Sequence, residues 1–227
     1  MLEIEGLVSG HGDGTVIDGV SLSVAPGETL AVLGHNGAGK TTLLRTIMGL
    51  IRPRAGSIRL GGTEISGRET FEIARLGLAY VPQGREIFGA FTIEENLVLA
   101  DTSGAGVQRA YDLFPVLGEM RARRAGNLSG GQQQQLAVAR ALIASPRVLL
   151  LDEPSEGVQP NIVAGIGETV ATVARQAQLA VILVEQDLTL VRRMAQRVAF
   201  LQEGMIAATH PVTALDDPAI VDRYLGL

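Results

Sequence analysis

Residues Gly34-His35-Asn36-Gly37-Ala38-Gly39-Lys40-Thr41 fit the pattern G-x-x-x-x-G-K-[ST] at every specified position. Such a run is suited to holding a polyphosphate. Its glycines let backbone N–H groups curl around phosphate oxygens, and a helix opening at the lysine adds the positive potential of its N-terminus. In this pattern the lysine, here Lys40, reaches the β- and γ-phosphates, and the hydroxyl of Thr41 ligates Mg²⁺. An ordinary glycine-rich turn is the competing explanation. The flanks oppose it, because an apolar stretch precedes the run and a helical one follows. Composition opposes it too: among 19 Lys plus Arg, the single lysine is Lys40. A chain that otherwise uses arginine demands a compact ammonium at this position.

A second group is Arg147-Val148-Leu149-Leu150-Leu151-Asp152-Glu153-Pro154. An apolar strand over 148–151 delivers Asp152 to the carboxyl end of a sheet, beside the phosphate loop, where it can hold Mg²⁺ through water. Glu153 follows at once and points differently, so it can polarise an attacking water. Two carboxylates ending a strand are by themselves more often solvated surface; the phosphate loop gives them their roles. The third group, Leu128-Ser129-Gly130-Gly131-Gln132, places a hydroxyl and glycine N–H groups at the start of a helix expected over 133–144. That is a second anion site, although the bare string also suits a loop and helix cap.

These groups need a frame. Strand-like segments at 2–5 and 21–24 open the chain, and Pro26-Gly27 marks a turn before a buried strand, Thr29–Leu33. A helix is expected from Lys40 to about Met48, stopped by Gly49. Farther on come the strand at 148–151, a helix from about Asn161 to Ala177, a strand at Ala180–Val184, a helix from about Leu188 and a hairpin around Glu203-Gly204. Apolar strands alternating with helices mean a parallel sheet covered on both faces. Between these halves, from 86 to 126, the pattern turns helical. Thr92-Ile93-Glu94-Glu95 is a capping box, and Tyr111, Leu113, Phe114 and Leu117 suggest a second amphipathic helix. A helical subdomain inserted in the sheet core follows.

With 227 residues, the chain is expected to form one domain. Hydrophobic residues make up 46% and charged ones 19%, with a mean hydropathy of +0.25. The apolar runs are strand-sized, far short of the roughly 20 residues that span a bilayer, and the start carries no basic-then-apolar leader. A soluble protein with surplus apolar surface is the expectation. The absence of cysteine excludes disulfides and thiolate metal sites. A net charge of −5 without basic runs argues against nucleic acid as the main partner.

The segment 128–132 separates this chain from other nucleotide hydrolases: together with the first two motifs it resembles the ABC ATPases, over essentially the whole length. The resemblance implies an α/β P-loop fold with a mainly parallel sheet core, an N-terminal antiparallel β part and an inserted helical subdomain at about 86–145. It implies ATP and Mg²⁺ as cofactors. Nucleotide is to be held by residues Gly34, His35, Asn36, Gly37, Ala38, Gly39, Lys40, Thr41 and Thr42, and the metal by Thr41, Asp152 and Gln83. Glu153 is the implied base. Pro82-Gln83-Gly84 resembles the Q-loop, and Val184-Glu185-Gln186-Asp187 stands at the switch loop, with Gln186 where most members have histidine. At the D-loop position Glu156-Gly157-Val158-Gln159 replaces the usual Ala-Leu-Asp. Aligning back from Val20-Ser21-Leu22 puts His11 where the family stacks an aromatic on adenine, with Val16 as its apolar neighbour; a solvated loop histidine is the plainer alternative.

In that family the signature, here Ser129, Gly130, Gly131 and Gln132, touches nucleotide held by the opposite subunit, which implies a head-to-tail dimer with two composite sites. Gln186, the run Val81-Pro82-Gln83-Gly84-Arg85 and the ending Tyr224-Leu225-Gly226-Leu227 are together similar to one ATPase of branched-chain amino acid importers. ATPases of urea and short-chain amide importers share most of these features. Such a subunit pairs with itself or with a longer paralogous ATPase, works beside two permease subunits and indirectly with a solute-binding protein, and lies on the cytoplasmic face of the membrane. The segment 86–91, with Phe88 and Phe91, is either core or a contact for the permease. Non-transport ABC ATPases acting on DNA or ribosomes, which carry long coiled coils, tandem units or basic patches, are the rival reading; a kinase-type phosphoryl transferase is opposed by 128–132.

Overall fold

The computed structural model describes residues 1–101 and 105–226; Leu227, the last residue of the terminal motif, lies outside them. Along the chain run β1 (Leu2–Ser9), β2 (Ile17–Val24), β3 (Thr29–Leu33), α1 (Lys40–Ile47), β4 (Ala55–Leu60), β5 (Thr63–Glu64), α2 (Thr70–Arg75) and β6 (Leu78–Val81). Then come α3 (Ile93–Ala100), α4 (Ala105–Leu113), α5 (Pro115–Glu119), α6 (Gly130–Ile143), β7 (Val148–Asp152) and α7 (Pro160–Ala177). The order closes with β8 (Ala180–Val184), α8 (Leu188–Met194), β9 (Arg197–Gln202), β10 (Met205–Pro211) and α9 (Pro218–Leu225).

Every residue of β3, β7 and β8 is buried, as a strand covered on both faces must be. They form the middle of a six-stranded sheet ordered β10-β9-β3-β8-β7-β6, parallel from β9 to β6. Alternate side chains of β3 feed two cores. Ala31 and Leu33 pack with the helices that follow β6, whereas Leu30 and Val32 pack with α1 and the first strands. A separate four-stranded antiparallel sheet, β2-β1-β4-β5, lies on this second side. The turn at Glu203-Gly204 has φ of 49° and 80° at its two residues, the left-handed pair that a two-residue hairpin with right-twisted strands requires.

The structure departs from the sequence expectations in definite ways. The opening strands are eight residues each, not four. The amphipathic stretch around Tyr111 is two helices: Pro115 starts α5 and forces Phe114 out of the helical region to φ −136°. Helix α6 begins at Gly130, three residues before the expected Gln133, because Ser129 caps it. Thr92 does cap α3 through a reciprocal bond with Glu95, as its sequence indicates. Helices α3 to α6 all lie between β6 and β7, and they share a buried core that includes Ile93, Leu97, Leu117 and Leu136.

Candidate functional site

The phosphate-loop residues connect β3 to α1. At Gly39 the backbone turns through φ +107°, and a Cβ there would come within 2.8 Å of Ile17 Cδ1, so both conformation and space require glycine. Lys40 is only 5% exposed. Its Nζ donates to Gly34 O at 2.7 Å and His35 O at 3.1 Å, and lies 3.7 Å from Glu153 Oε1. The loop thus closes around its own ammonium, with His35, Asn36 and Gly37 exposed at its tip. Ala38 O accepts from Gly204 N at 3.2 Å, which ties the loop to the β9–β10 hairpin.

Asp152, the last residue of β7, lies beside β8 and reaches the loop: Thr41 Oγ1 donates to its Oδ1 at 3.1 Å. Its other oxygen accepts from Tyr80 Oη at 2.9 Å. Burial pushes the Asp152 carboxyl above the usual carboxylate range, against the pull of those two hydrogen bonds. Burial likewise pushes the Tyr80 phenol up, with the adjacent carboxylate adding to it. Among the described residues no ion pair uses Asp152, and the Arg45 charge acts on it only from beyond contact distance. Thr41 Oγ1 and Asp152 Oδ1 are hard oxygens 3.1 Å apart, donors of the kind Mg²⁺ takes directly or through water. Among the described residues no group of three His, Cys, Asp or Glu side chains could hold an ion alone. The donor set therefore fits Mg²⁺ carried with phosphates, the ordinary manner for that ion.

Glu153 follows in the left-handed conformation, φ +47°, with its N–H bound to Val184 O at 2.9 Å. That turn swings its carboxylate away from Asp152 into a ring of donors. Gln186 Nε2 donates to Glu153 Oε1 at 2.9 Å and also to Asn36 Oδ1 at 2.9 Å. Gln83 Nε2 donates to Glu153 Oε2 at 3.3 Å and to Glu156 Oε2 at 2.9 Å. With its NH₂ facing two carboxylates, Gln83 must turn its carbonyl oxygen elsewhere, which leaves it free as a ligand. Glu185 is 1% exposed, and its carboxylate accepts from the backbone N–H groups of Ser155, Gln186 and Asp187 at 2.7–3.0 Å. It fixes the loop after Glu153 to the loop carrying Gln186.

An open cleft of about 340 Å³ joins Val16, Gly37, Lys40, Thr42, Gln83 and Glu153. His11 stands at its margin, exposed, with Nε2 3.5 Å from Thr42 Oγ1. Ser129 to Gln132 are not joined to this group: among the described residues no hydrogen bond links them to residues 34–42. Ser129 Oγ accepts from Gln132 N and Gln132 Oε1 accepts from Ser129 N, a capping box that leaves the hydroxyl proton free. The two glycines have a steric reason beyond anion binding. A Cβ on Gly131 would press to 2.7 Å from Ile162 Cδ1, and one on Gly130 would come to 3.0 Å from Gly157 O.

The sequence reading missed Tyr80, Glu185 and the role of Asn36. Tyr80 lies on a four-residue strand that carries no periodic signal, and Glu185 is recognisable only once three N–H groups converge on it. Tyr80 has a measurable role to play in aiming Asp152. Tyr80→Phe frees one carboxylate oxygen and should raise the Mg²⁺ concentration for half-maximal ATP turnover about tenfold. Metal-free ATP binding should stay unchanged. An unaltered Mg²⁺ requirement, read in a simple titration of phosphate release, would show that Thr41 alone orients the carboxylate.

Comparison with known proteins identifies the family. The family described as ABC transporter matches residues 17–156. The chain is 38% identical to the high-affinity branched-chain amino acid transport ATP-binding protein BraG of Pseudomonas aeruginosa, over all of both chains. It is 30% identical to BraF of the same organism, covering all of this chain and 98% of that one. The lipopolysaccharide export ATP-binding protein LptB of Acidithiobacillus ferridurans is 32% identical over all of this chain and 97% of its own. Among solved structures, the ADP conformation of MJ1267, an ATP-binding cassette of an ABC transporter, superposes with a TM-score of 0.86 at 26% identity, over 100% of this chain and 99% of that one. The chain belongs to the ABC transporter family, as one of its ATP-binding and ATP-hydrolysing subunits.

Proposed function

We propose that this ABC transporter ATPase hydrolyses MgATP in composite sites of a head-to-tail dimer and thereby drives two permease subunits to import branched-chain amino acids. The observation that carries the reading is a divided set of anion-binding groups: Lys40, Thr41, Asp152 and Glu153 converge on one cleft, while Ser129 to Gln132, with a free hydroxyl at a helix N-terminus, share no hydrogen bond with residues 34–42 among the described residues. The β- and γ-phosphates replace Gly34 O and His35 O as partners of Lys40. Thr41, Asp152 and Gln83 would hold Mg²⁺, which would neutralise phosphate charge. Glu153 takes a proton from the attacking water, held in place by Gln186. Because Gln186 has no titrating proton, it positions the carboxylate and the γ-phosphate and does no acid–base chemistry. Gly34 to Thr42 wrap the phosphates, and His11 with Val16 stacks on the base.

Three features support the partners. BraG and BraF are two branched-chain amino acid transport ATPases of one organism, which fits pairing with a longer paralogue. Phe88 and Phe91 are 47% and 43% exposed, and Leu99 of α3 is 54% exposed. Arg140, over the Phe88 ring, lines a cavity of about 330 Å³ together with Pro82, Arg85 and Glu86. That apolar surface suits a permease helix, which supports a peripheral position on the cytoplasmic face of the membrane. A solute-binding protein would deliver cargo from outside. LptB, at 32% identity, shows that cassettes of similar sequence serve other cargo, so the solute rests on the higher identity to BraG. Disrupting the gene in its host should abolish high-affinity uptake of radiolabelled leucine, isoleucine and valine, and Glu153→Gln should not restore it. Loss of urea or amide uptake with leucine uptake intact would replace the solute assignment.

A further inference from the structure

The loop after Gln83 carries a cation, Arg85, that the phosphate site does not use and that lines part of the wall of the cavity of about 330 Å³. Arg85 is half-buried, with φ +71°, and the next residue, Glu86, has φ +46°. Two successive non-glycine residues in the left-handed region persist only where their surroundings over-determine them. The surroundings are three neutral acceptors on two other segments. Arg85 Nη1 donates to Gln133 Oε1 at 3.1 Å, in the first turn of α6. Arg85 Nη2 donates to Glu156 O at 3.3 Å and Gly157 O at 3.4 Å, in the loop that follows Glu153. Among the described residues no ion pair involves Arg85. The packing at this junction has no slack, because a Cβ on Gly130 would meet both Arg85 Nη2 and Gly157 O at 3.0 Å. Gln83, two residues earlier, grips the same loop through Glu156.

We propose that Arg85 is a positioning residue that locks the N-terminus of α6, and with it Ser129 to Gln132, to the 156–157 loop of its own subunit, so that the two present one rigid surface to the nucleotide bound by the opposite subunit. This rests on the composite-site reading above. The planar guanidinium explains why the residue is arginine. Its fork reaches a side-chain amide on one side and two carbonyls on the other, a span that a point-charge ammonium cannot cover. Without the fork, α6 and the 156–157 loop keep their own folds but lose their fixed relation, and the dimer must pay that ordering cost on closing. The effect falls on dimer closure and turnover, not on the binding of ATP by an isolated subunit, because Arg85 touches none of residues 34–42.

The test compares Arg85→Gln and Arg85→Lys, each in the Glu153→Gln background, with a fluorescent ATP analogue, analytical ultracentrifugation and hydrogen exchange. Nucleotide affinity of the monomer should stay within about twofold, while the ATP-dependent dimer weakens about tenfold. Amides of 130–133 and 156–159 should exchange faster together in both variants, and lysine should fail to rescue. Exchange that is faster in both segments with an unchanged dimer constant overturns the proposal, as does full rescue by Arg85→Lys. If the Glu153→Gln parent itself never dimerises with ATP, exchange decides: acceleration in both segments keeps the lock and removes the composite-site reading, and wild-type exchange removes the lock.

Discussion

Lys40→Arg should lose ATP turnover as completely as Lys40→Ala, by at least about a hundredfold in kcat. The ammonium sits 5% exposed inside a ring made by Gly34 O at 2.7 Å, His35 O at 3.1 Å and Glu153 Oε1 at 3.7 Å. A guanidinium is wider, planar and presents its donors in a fork, so it cannot enter that ring without opening the loop. No other lysine exists in the chain to take over. Neither variant should show the ATP-dependent rise in Tm that ligand binding gives the native protein. Removing the ammonium also leaves two backbone carbonyls without their donor, so Lys40→Ala should unfold at a somewhat lower temperature even without nucleotide, a loss of about 1 kcal/mol. Near-native phosphate release by Lys40→Arg would mean that the loop accepts charge without regard to shape.

How much of this was legible before the structure depends on what kind of signal each residue left. Strands β3 and β8 were readable to the residue because a strand buried on both faces is a continuous apolar run between turn signals. Strand β4 was not. Its sequence Ala-Gly-Ser-Ile-Arg-Leu buries only Ile58 and Leu60, and a glycine stands second in it, which reads as a loop. The N-terminal sheet exists because β1 pairs on both sides, a long-range fact that no local pattern carries. The split between α4 and α5 was written in the sequence as Pro115, but the apolar spacing of Tyr111, Leu113, Phe114 and Leu117 outweighed it.

The site divides in the same way. Lys40, Thr41, Asp152 and Glu153 lie in contiguous runs whose types name their chemistry, and the structure brings all four together. For Ser129 to Gln132 the two competing readings, helix cap and anion site, prove compatible. The spacing S-x-x-Q is a capping box, and the cap leaves the serine hydroxyl able to donate. The turn of Glu153 into φ +47°, which separates its carboxylate from that of Asp152, could be foreseen only as a difference in direction. What stayed hidden are the residues that act through others. Tyr80, Glu156 and Arg85 gain their meaning from partners 48 to 73 positions away, and Glu185 from Ser155 30 positions away besides its two neighbours, so little near them in sequence announces it.

The central claim is that two half-sites on different subunits make one ATPase, and Glu153→Gln measures it most directly. The substitution keeps the volume and one acceptor oxygen for either Gln83 or Gln186, but it removes the base and the negative charge facing the γ-phosphate. ATP should then be bound and not cleaved, and the closed state should persist. The account predicts that Glu153→Gln with MgATP elutes from gel filtration as a dimer while the native protein with ADP elutes mainly as a monomer, and that adding Ser129→Arg returns the variant to monomer. Where the homodimer is weak, supplying the longer paralogous ATPase should yield the mixed dimer under the same conditions. A Glu153→Gln protein that binds ATP tightly yet stays monomeric with and without that partner would contradict the shared-site mechanism.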